Sequence, residues 1–171
     1  MAKVTFPVTR VFATIGVLAC CAAAALPAAA ATKRPKDLWA TVNVCDTSVH
    51  DNMMGVRASM PGDGDHTKMY MRFVAQYYDR SRQLWSEVKG SGVSKWIYVG
   101  SGIYARRQAG YTFAFDAPAS GKTFVLRGAV DYKWTKGRRI VRTARVLTKS
   151  GHPNTKGADP ETYSAGLCEI R

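Results

Sequence analysis

The feature of this chain most suggestive of chemistry is a run of cations near its C-terminal end. Between Lys133 and Lys149 the sequence contains seven Lys or Arg residues and no acidic residue. Arg guanidinium groups donate paired hydrogen bonds to phosphate or carboxylate, and the neighbouring Tyr132 and Trp134 could stack on a ring or a base. The pattern predicts an anion-binding site made of Lys133, Lys136, Arg138, Arg139, Arg142, Arg145 and Lys149.

The partners that such a site would attract are anionic wall polymers or an acidic protein. A second interpretation needs no ligand, because Lys and Arg on an exposed strand also prevent edge-to-edge aggregation. The run is predicted to lie on a β-hairpin, in which residues two apart share a face. That rule puts Arg139 and Arg145 on one side and Arg142 on the other, so the charge is expected to divide, and both interpretations stay open.

Motifs for catalysis and for cofactor binding are incomplete in this sequence. Residues 120–123 read SGKT, like the end of a phosphate-binding loop, but the glycine that the motif needs at position 116 is Asp116. The histidines His50, His66 and His152 lie in predicted loops without metal-ligand spacing, and no G-x-S-x-G sequence occurs. We therefore expect a non-enzymatic protein with no catalytic residue, no cofactor and no metal.

Two alternatives remain from other functional classes. A secreted enzyme inhibitor would present a rigid exposed loop, and the segment 149–163, rich in Gly, Pro, Asn and Asp, is the candidate for it. A small hydrolase would instead assemble its site from residues on distant strands, which a single sequence does not reveal.

The first 31 residues have the pattern of a secretory signal peptide. Lys3 and Arg10 form a basic start, residues 11–25 are apolar or small, and the alanines at 28–31 offer A-x-A cleavage sites. The apolar stretch is shorter than the roughly 20 residues of a membrane span. We expect cleavage near Ala31, no transmembrane segment in the mature chain, and a secreted, extracellular protein; lipid attachment at Cys20 is the alternative. Intracellular nucleic acid is then not an expected partner.

Composition and cysteine content limit what the mature chain can be. The 171 residues include 25 Lys or Arg and 12 Asp or Glu, for a net charge of +13. Without the signal peptide about 140 residues remain, which is one domain, expected at 38–171 after a basic linker at 32–37. Cleavage also leaves only Cys45 and Cys168. In an oxidising compartment, two cysteines near the ends of one domain predict a single disulfide.

Beyond residue 37 the pattern is one β-rich run after another, bounded by Gly, Pro, Asp and Ser. The runs lie at 38–45, 54–60, 68–78, 84–88, 95–99, 111–115, 122–134, 139–147 and 165–170. Alternation in the run 68–78 predicts a core face formed by Met69, Met71, Phe73, Ala75 and Tyr77. In the run 122–134 it places Phe124, Leu126, Val130, Tyr132 and Trp134 on one face. Short strands at this density predict an all-β fold, an antiparallel sandwich or barrel.

Several short patterns in these runs carry a family resemblance. They are GVRASMPG at 55–62, the alternating MYMRF and QYY between 69 and 78, the spacing of Trp85 and Trp96, and Ser-x-x-x-Cys ending at Cys168. In these the chain resembles small secreted actinobacterial proteins of unknown function with an immunoglobulin-like or fibronectin type III-like sandwich. The resemblance implies an antiparallel immunoglobulin-like β-sandwich of about 7–9 strands, following an N-terminal signal-peptide helix, and it implies no catalytic residues.

Overall fold

A computed structural model describes residues 36–171 of the chain. The predicted signal peptide at 1–31, the alternative lipidation site at Cys20 and most of the linker lie outside the described residues. The described part is all-β, as the alternation predicts. Its strands are β1 (Trp39–Cys45), β2 (Met53–Pro61), β3 (Lys68–Asp79), β4 (Leu84–Glu87), β5 (Ile97–Ser101), β6 (Arg106–Ala114), β7 (Phe124–Lys136), β8 (Arg139–Leu147) and β9 (Cys168–Ile170).

A three-residue 3₁₀ turn at Gly90–Gly92 is the only helical element among these residues. Within residues 36–171 there is therefore no helix long and apolar enough to cross a membrane.

The strands form two antiparallel sheets. The smaller sheet has the order β1-β2-β6, and the larger has the order β4-β3-β7-β8, with β5 also pairing β3 and β9 also pairing β7. The centre of the larger sheet is the β3–β7 pairing, which runs through ten consecutive residue pairs from Lys68–Thr135 to Tyr77–Leu126. The predicted disulfide between Cys45 and Cys168 is present and joins β1 of one sheet to β9 of the other.

The core lies between the inner faces of the two sheets. Val42 and Met54 come from the smaller sheet, while Phe73, Tyr132 and Trp134 come from the larger one, and none of these five is accessible to solvent. Two of the buried rings carry polar groups, and both are satisfied. The Tyr132 hydroxyl donates to the Trp39 carbonyl at 2.7 Å, and the Trp134 indole N–H donates to the Pro61 carbonyl at 3.1 Å.

Several sequence-based expectations about single elements are wrong. Arg106 and Arg107 lie before the run predicted at 111–115, but they begin β6, where they pair with Pro61 and Met60 of β2. Trp96 falls within the run predicted at 95–99, but β5 begins only at Ile97, and the Trp96 side chain is 38% exposed. The final strand is also shorter than predicted and begins at Cys168.

The segment from Thr148 to Ala165 is not a free surface loop. Its backbone bonds to the edge of β1, through Lys149 N–H to the Ala40 carbonyl at 2.9 Å and through reciprocal bonds between Val42 and Ala165 at 2.9 and 3.0 Å. The segment therefore covers an edge that would otherwise present unpaired backbone groups.

Candidate anion-binding site on the β7–β8 hairpin

The predicted cation run lies on the hairpin formed by β7 and β8. Lys136 and Arg139 are the last paired residues, so Gly137 and Arg138 make a two-residue turn. Gly137 has φ of +61°, and glycine at the first central position is what a type II′ hairpin turn requires. Such a tight turn fixes the positions of the cations on both sides of it.

A β-bulge decides which of these cations share a face. Trp134 pairs with Arg142 but Thr135 pairs with Ile140, so Val141 is an extra residue in β8. Because directly paired residues lie on the same face, Arg142 lies on the face of Trp134, and Arg139 lies on the face of Lys136. Trp134 and Lys136 are two apart on β7 and share a face.

Arg139 and Arg142 therefore point to the same side, and Arg145, which pairs with Asp131, points to the other. The prediction that Arg139 and Arg145 share a face is wrong, because the extra residue of a bulge shifts the alternation of side chains between the two faces.

The Arg142 side chain on this face packs against the ring of Trp134. Its guanidinium carbon lies 4.6 Å from the centre of the Trp134 ring, within range of a cation–π interaction. The sequence-based expectation that Tyr132 and Trp134 stack on a ligand is wrong, because both rings are fully buried. Trp134 instead supports Arg142 from beneath. Among the described residues, no carboxylate forms an ion pair with Arg138, Arg139 or Arg142.

The other predicted members have different surroundings. Lys136 forms an ion pair with Asp65 at 2.9 Å, and the hydrogen bond between them raises the pKa of Lys136. The same hydrogen bond lowers the pKa of the Asp65 carboxyl. Arg145 bonds to Glu87 at 2.5 Å and lies 3.4 Å from Asp131. Two of the seven cations are thus neutralised by carboxylates of the chain itself.

Lys133 and Lys149 lie apart from the hairpin tip. The Lys133 ammonium is on the opposite face, 4.1 Å from the Trp96 ring centre and 5.0 Å from that of Tyr70. Lys149 follows the far end of β8, where its backbone bonds to β1. The structure therefore reduces the seven-residue prediction to a tip cluster of three free arginines: Arg138, Arg139 and Arg142.

Sequence reasoning missed two features around this cluster. Ile140 and Val141 are 56% and 40% exposed between the tip arginines, so the tip presents apolar as well as cationic surface. On the opposite face, the Arg72 guanidinium lies 5.1 Å from the centre of the Trp96 ring. The same ring also contacts the Lys133 ammonium, so two cations pack on one exposed aromatic side chain. The paired register that brings these groups together has no signature in the local sequence.

Another polar cluster, Thr47, His50 and Asp159, has the residue types of a hydrolytic triad but not its geometry. The Thr47 hydroxyl donates directly to Asp159 Oδ2, and His50 Nδ1 lies 2.8 Å from the same oxygen. In a triad the nucleophile and the carboxylate bond opposite nitrogens of the imidazole, whereas here Thr47 Oγ1, at 3.5 Å, and Asp159 Oδ2 both face His50 Nδ1. The cluster joins the β1–β2 turn to the segment covering β1, since Asp159 N–H also donates to the Asn43 carbonyl at 2.9 Å.

This arrangement predicts a pH-dependent contribution to stability. The hydrogen bonds from Thr47 and then His50 hold the pKa of Asp159 below its usual value of 3.8. A depressed pKa stabilises the fold above the unfolded-state value, and the stabilisation is lost as the pH falls through the folded-state value. Asp159→Asn should therefore lower the urea midpoint at pH 7 and have a smaller effect at pH 3. Asp51→Asn, in the neighbouring turn, is the control; equal losses for Asp159→Asn at both pH values would refute the assignment.

Within residues 36–171, no three His, Cys, Asp or Glu side chains converge in an arrangement that could hold a metal ion. Comparison of the chain with protein-family models, with curated proteins and with solved structures finds no match.

Proposed function

We propose that this chain is an exported, non-catalytic β-sandwich module that binds anionic surface polymers through the tip of its β7–β8 hairpin. The observation that carries the proposal is the placement of Arg139 and Arg142 on one face without a carboxylate partner among the described residues. Arg138 in the turn adds a third free guanidinium. Export is supported by the signal-peptide pattern of residues 1–31 and by the disulfide, which forms in oxidising compartments.

Polyanion binding follows from the chemistry of these groups. Guanidinium groups donate paired hydrogen bonds to sulfate, phosphate or carboxylate, and two of them on one face can engage neighbouring charges of a polymer. Without Lys3 and Arg10, which leave with the predicted signal peptide, the chain keeps 23 Lys or Arg against 12 Asp or Glu, and this excess of positive charge adds a long-range attraction for such partners. Each polymer charge neutralised also releases a bound counterion, so the affinity should fall steeply as salt is added.

The finer fold class that we propose is immunoglobulin-like, of the fibronectin type III kind. Sheets of orders β1-β2-β6 and β4-β3-β7-β8 support it, because sandwiches of this class split their strands into two antiparallel sheets in this interleaved way. The disulfide differs from that of antibody domains, since it joins the first and last strands. In such sandwiches the loops and hairpins at the ends carry binding functions, which fits a site at a hairpin tip.

The experiment is retention on immobilised heparin, used as a sulfated polymer probe. Replacing Arg139 and Arg142 together with alanine should weaken binding at low salt by at least about tenfold, because two charge-assisted contacts are lost. Arg80→Ala with Lys89→Ala is the matched control: both side chains are exposed, and the net charge changes equally.

The two double variants separate a site from general charge. Equal loss of retention in both would show that net charge alone holds the polymer, and it would overturn the proposal. Unchanged retention of the Arg139 and Arg142 variant would do the same. Binding of an acidic protein but not of heparin would show that the partner is an acidic protein and not an anionic polymer.

A further inference from the structure

An apolar groove opens at the end of the sandwich away from the hairpin tip. Its volume is about 500 Å³, and its walls come from the end of β3, the segment after β4, the end of β6 and the start of β7. The rings of Tyr77, Phe115 and Phe124 line it together with Val88 and Leu126. A concave, mostly apolar site of this volume has the character of small-molecule sites in proteins.

The groove exists because the two sheets end at different places. Tyr77 pairs with Leu126 in the register that continues the inner face, and Phe124, two residues from Leu126, lies on the same face. The opposing sheet stops at the Met53–Ala114 pair, and the two rings are 40% and 36% exposed. The expectation that Tyr77 belongs to the core is therefore wrong, because the opposing sheet covers this wall of two rings only in part.

Charge distinguishes this groove from the rest of the molecule. Among residues 36–171, Asp116 is the only charged residue that lines it, and Ser91 adds a hydroxyl. Lys89 and Lys122 are close in sequence to lining residues, but neither lines the groove. A groove whose one charged wall group among the described residues is a carboxylate is complementary to a positive ligand at short range, where salt screens the net positive charge of the chain.

The aromatic walls favour the same kind of ligand. The faces of Tyr and Phe rings carry partial negative charge and attract ammonium groups, most strongly where water is displaced. An anionic ligand would meet both this ring charge and the Asp116 carboxylate. A neutral apolar ligand would gain only from burial of its surface.

We propose that this groove binds a small amphiphilic cation, with an aromatic or aliphatic body against the rings and an ammonium group paired with Asp116. The site goes beyond the anion-binding function and does not depend on it. The thirteen residues of β7 separate the groove from the hairpin tip by about 40 Å.

The test uses two probes of nearly the same shape and opposite charge, phenylbutylammonium and phenylbutyrate, titrated into the full mature chain. Chemical shifts of backbone amides report binding. The ammonium probe should bind with a dissociation constant of about 1 mM, as expected for its size. It should bind at least about fivefold more tightly than the carboxylate, because one charge is attracted and the other repelled.

Two variants locate the site. Asp116→Asn should reduce the preference for the ammonium probe to the part that the aromatic rings contribute, while leaving weak binding of both probes. Ala114→Trp places a large ring on an exposed lining position and should abolish binding of both, whereas Ala105→Trp, on an exposed residue outside the groove, should not. Should Ala114→Trp fail to fold, Asp116→Asn carries the test alone.

Three outcomes would overturn the proposal. The first is equal or tighter binding of phenylbutyrate, and the second is binding of the ammonium probe that survives Ala114→Trp. The third is a concentration-dependent dimer that Ala114→Trp dissociates, which would make the groove a contact between copies of the chain. Loss of heparin retention in the Arg139 and Arg142 variant has no bearing on these results.

Discussion

Replacing Cys45 and Cys168 together with alanine is expected to lower the free energy of unfolding by about 3–5 kcal/mol. The bridge spans 123 residues of sequence, so its loss frees a long loop in the unfolded chain. The entropy of closing such a loop grows slowly with its length and approaches about 5 kcal/mol at this span. The bridge also ties β1 of one sheet to β9 of the other, where Cys168 is almost fully buried.

Urea denaturation followed by tryptophan fluorescence measures this loss. Reductant should lower the midpoint of the wild-type chain toward that of the double variant and leave the variant unchanged. Alanine is the appropriate replacement because it introduces no polar group at the buried Cys168 position. A double variant as stable as the wild-type chain would show that the bridge does not constrain the unfolded state.

Trp134→Ala is expected to have the second large effect, a loss of about 3–5 kcal/mol. The ring is fully buried between the sheets, and its removal leaves a large cavity in the core. The substitution also leaves the Pro61 carbonyl without the indole N–H bond at 3.1 Å. Arg142 loses the ring that supports it, so heparin retention should fall as well.

Two further substitutions separate the contribution of the indole N–H bond from that of the buried ring. Trp134→Phe keeps most of the ring and loses the N–H donor, so it should cost about 1–3 kcal/mol. Trp96→Ala is the matched control, because that ring is 38% exposed and should contribute much less to the core. Similar losses for Trp96→Ala and Trp134→Ala, measured by urea denaturation, would contradict the assignment of Trp134 to the core.

Local alternation was sufficient to predict most of the strands. Its run at 139–147 coincides with β8, and the run at 38–45 differs from β1 by a single residue. Alternation also identified Met69, Met71 and Phe73 as core residues, because neighbouring side chains of a half-buried strand differ in polarity. The bridge between Cys45 and Cys168 followed from cysteine count and compartment alone.

The features that shape the candidate sites depend on distant parts of the chain. Nothing in the sequence around Val141 marks it as the extra residue of a bulge, so the face shared by Arg139 and Arg142 was predicted wrongly. Tyr77 continues a correct alternation, but its exposure depends on where the opposing sheet ends. The covering of β1 likewise rests on backbone bonds to residues more than 100 positions away.

The central claim is that anionic polymers bind at the hairpin tip, and nuclear magnetic resonance of the labelled chain tests it most directly. A short sulfated oligosaccharide is titrated while the backbone amides and the arginine Nε–H groups are followed. The largest shifts are expected at Gly137, Arg138 and the Nε–H groups of Arg139 and Arg142, with Arg80 unchanged. Shifts that are spread evenly over the exposed cations, or that centre on another face, would contradict it.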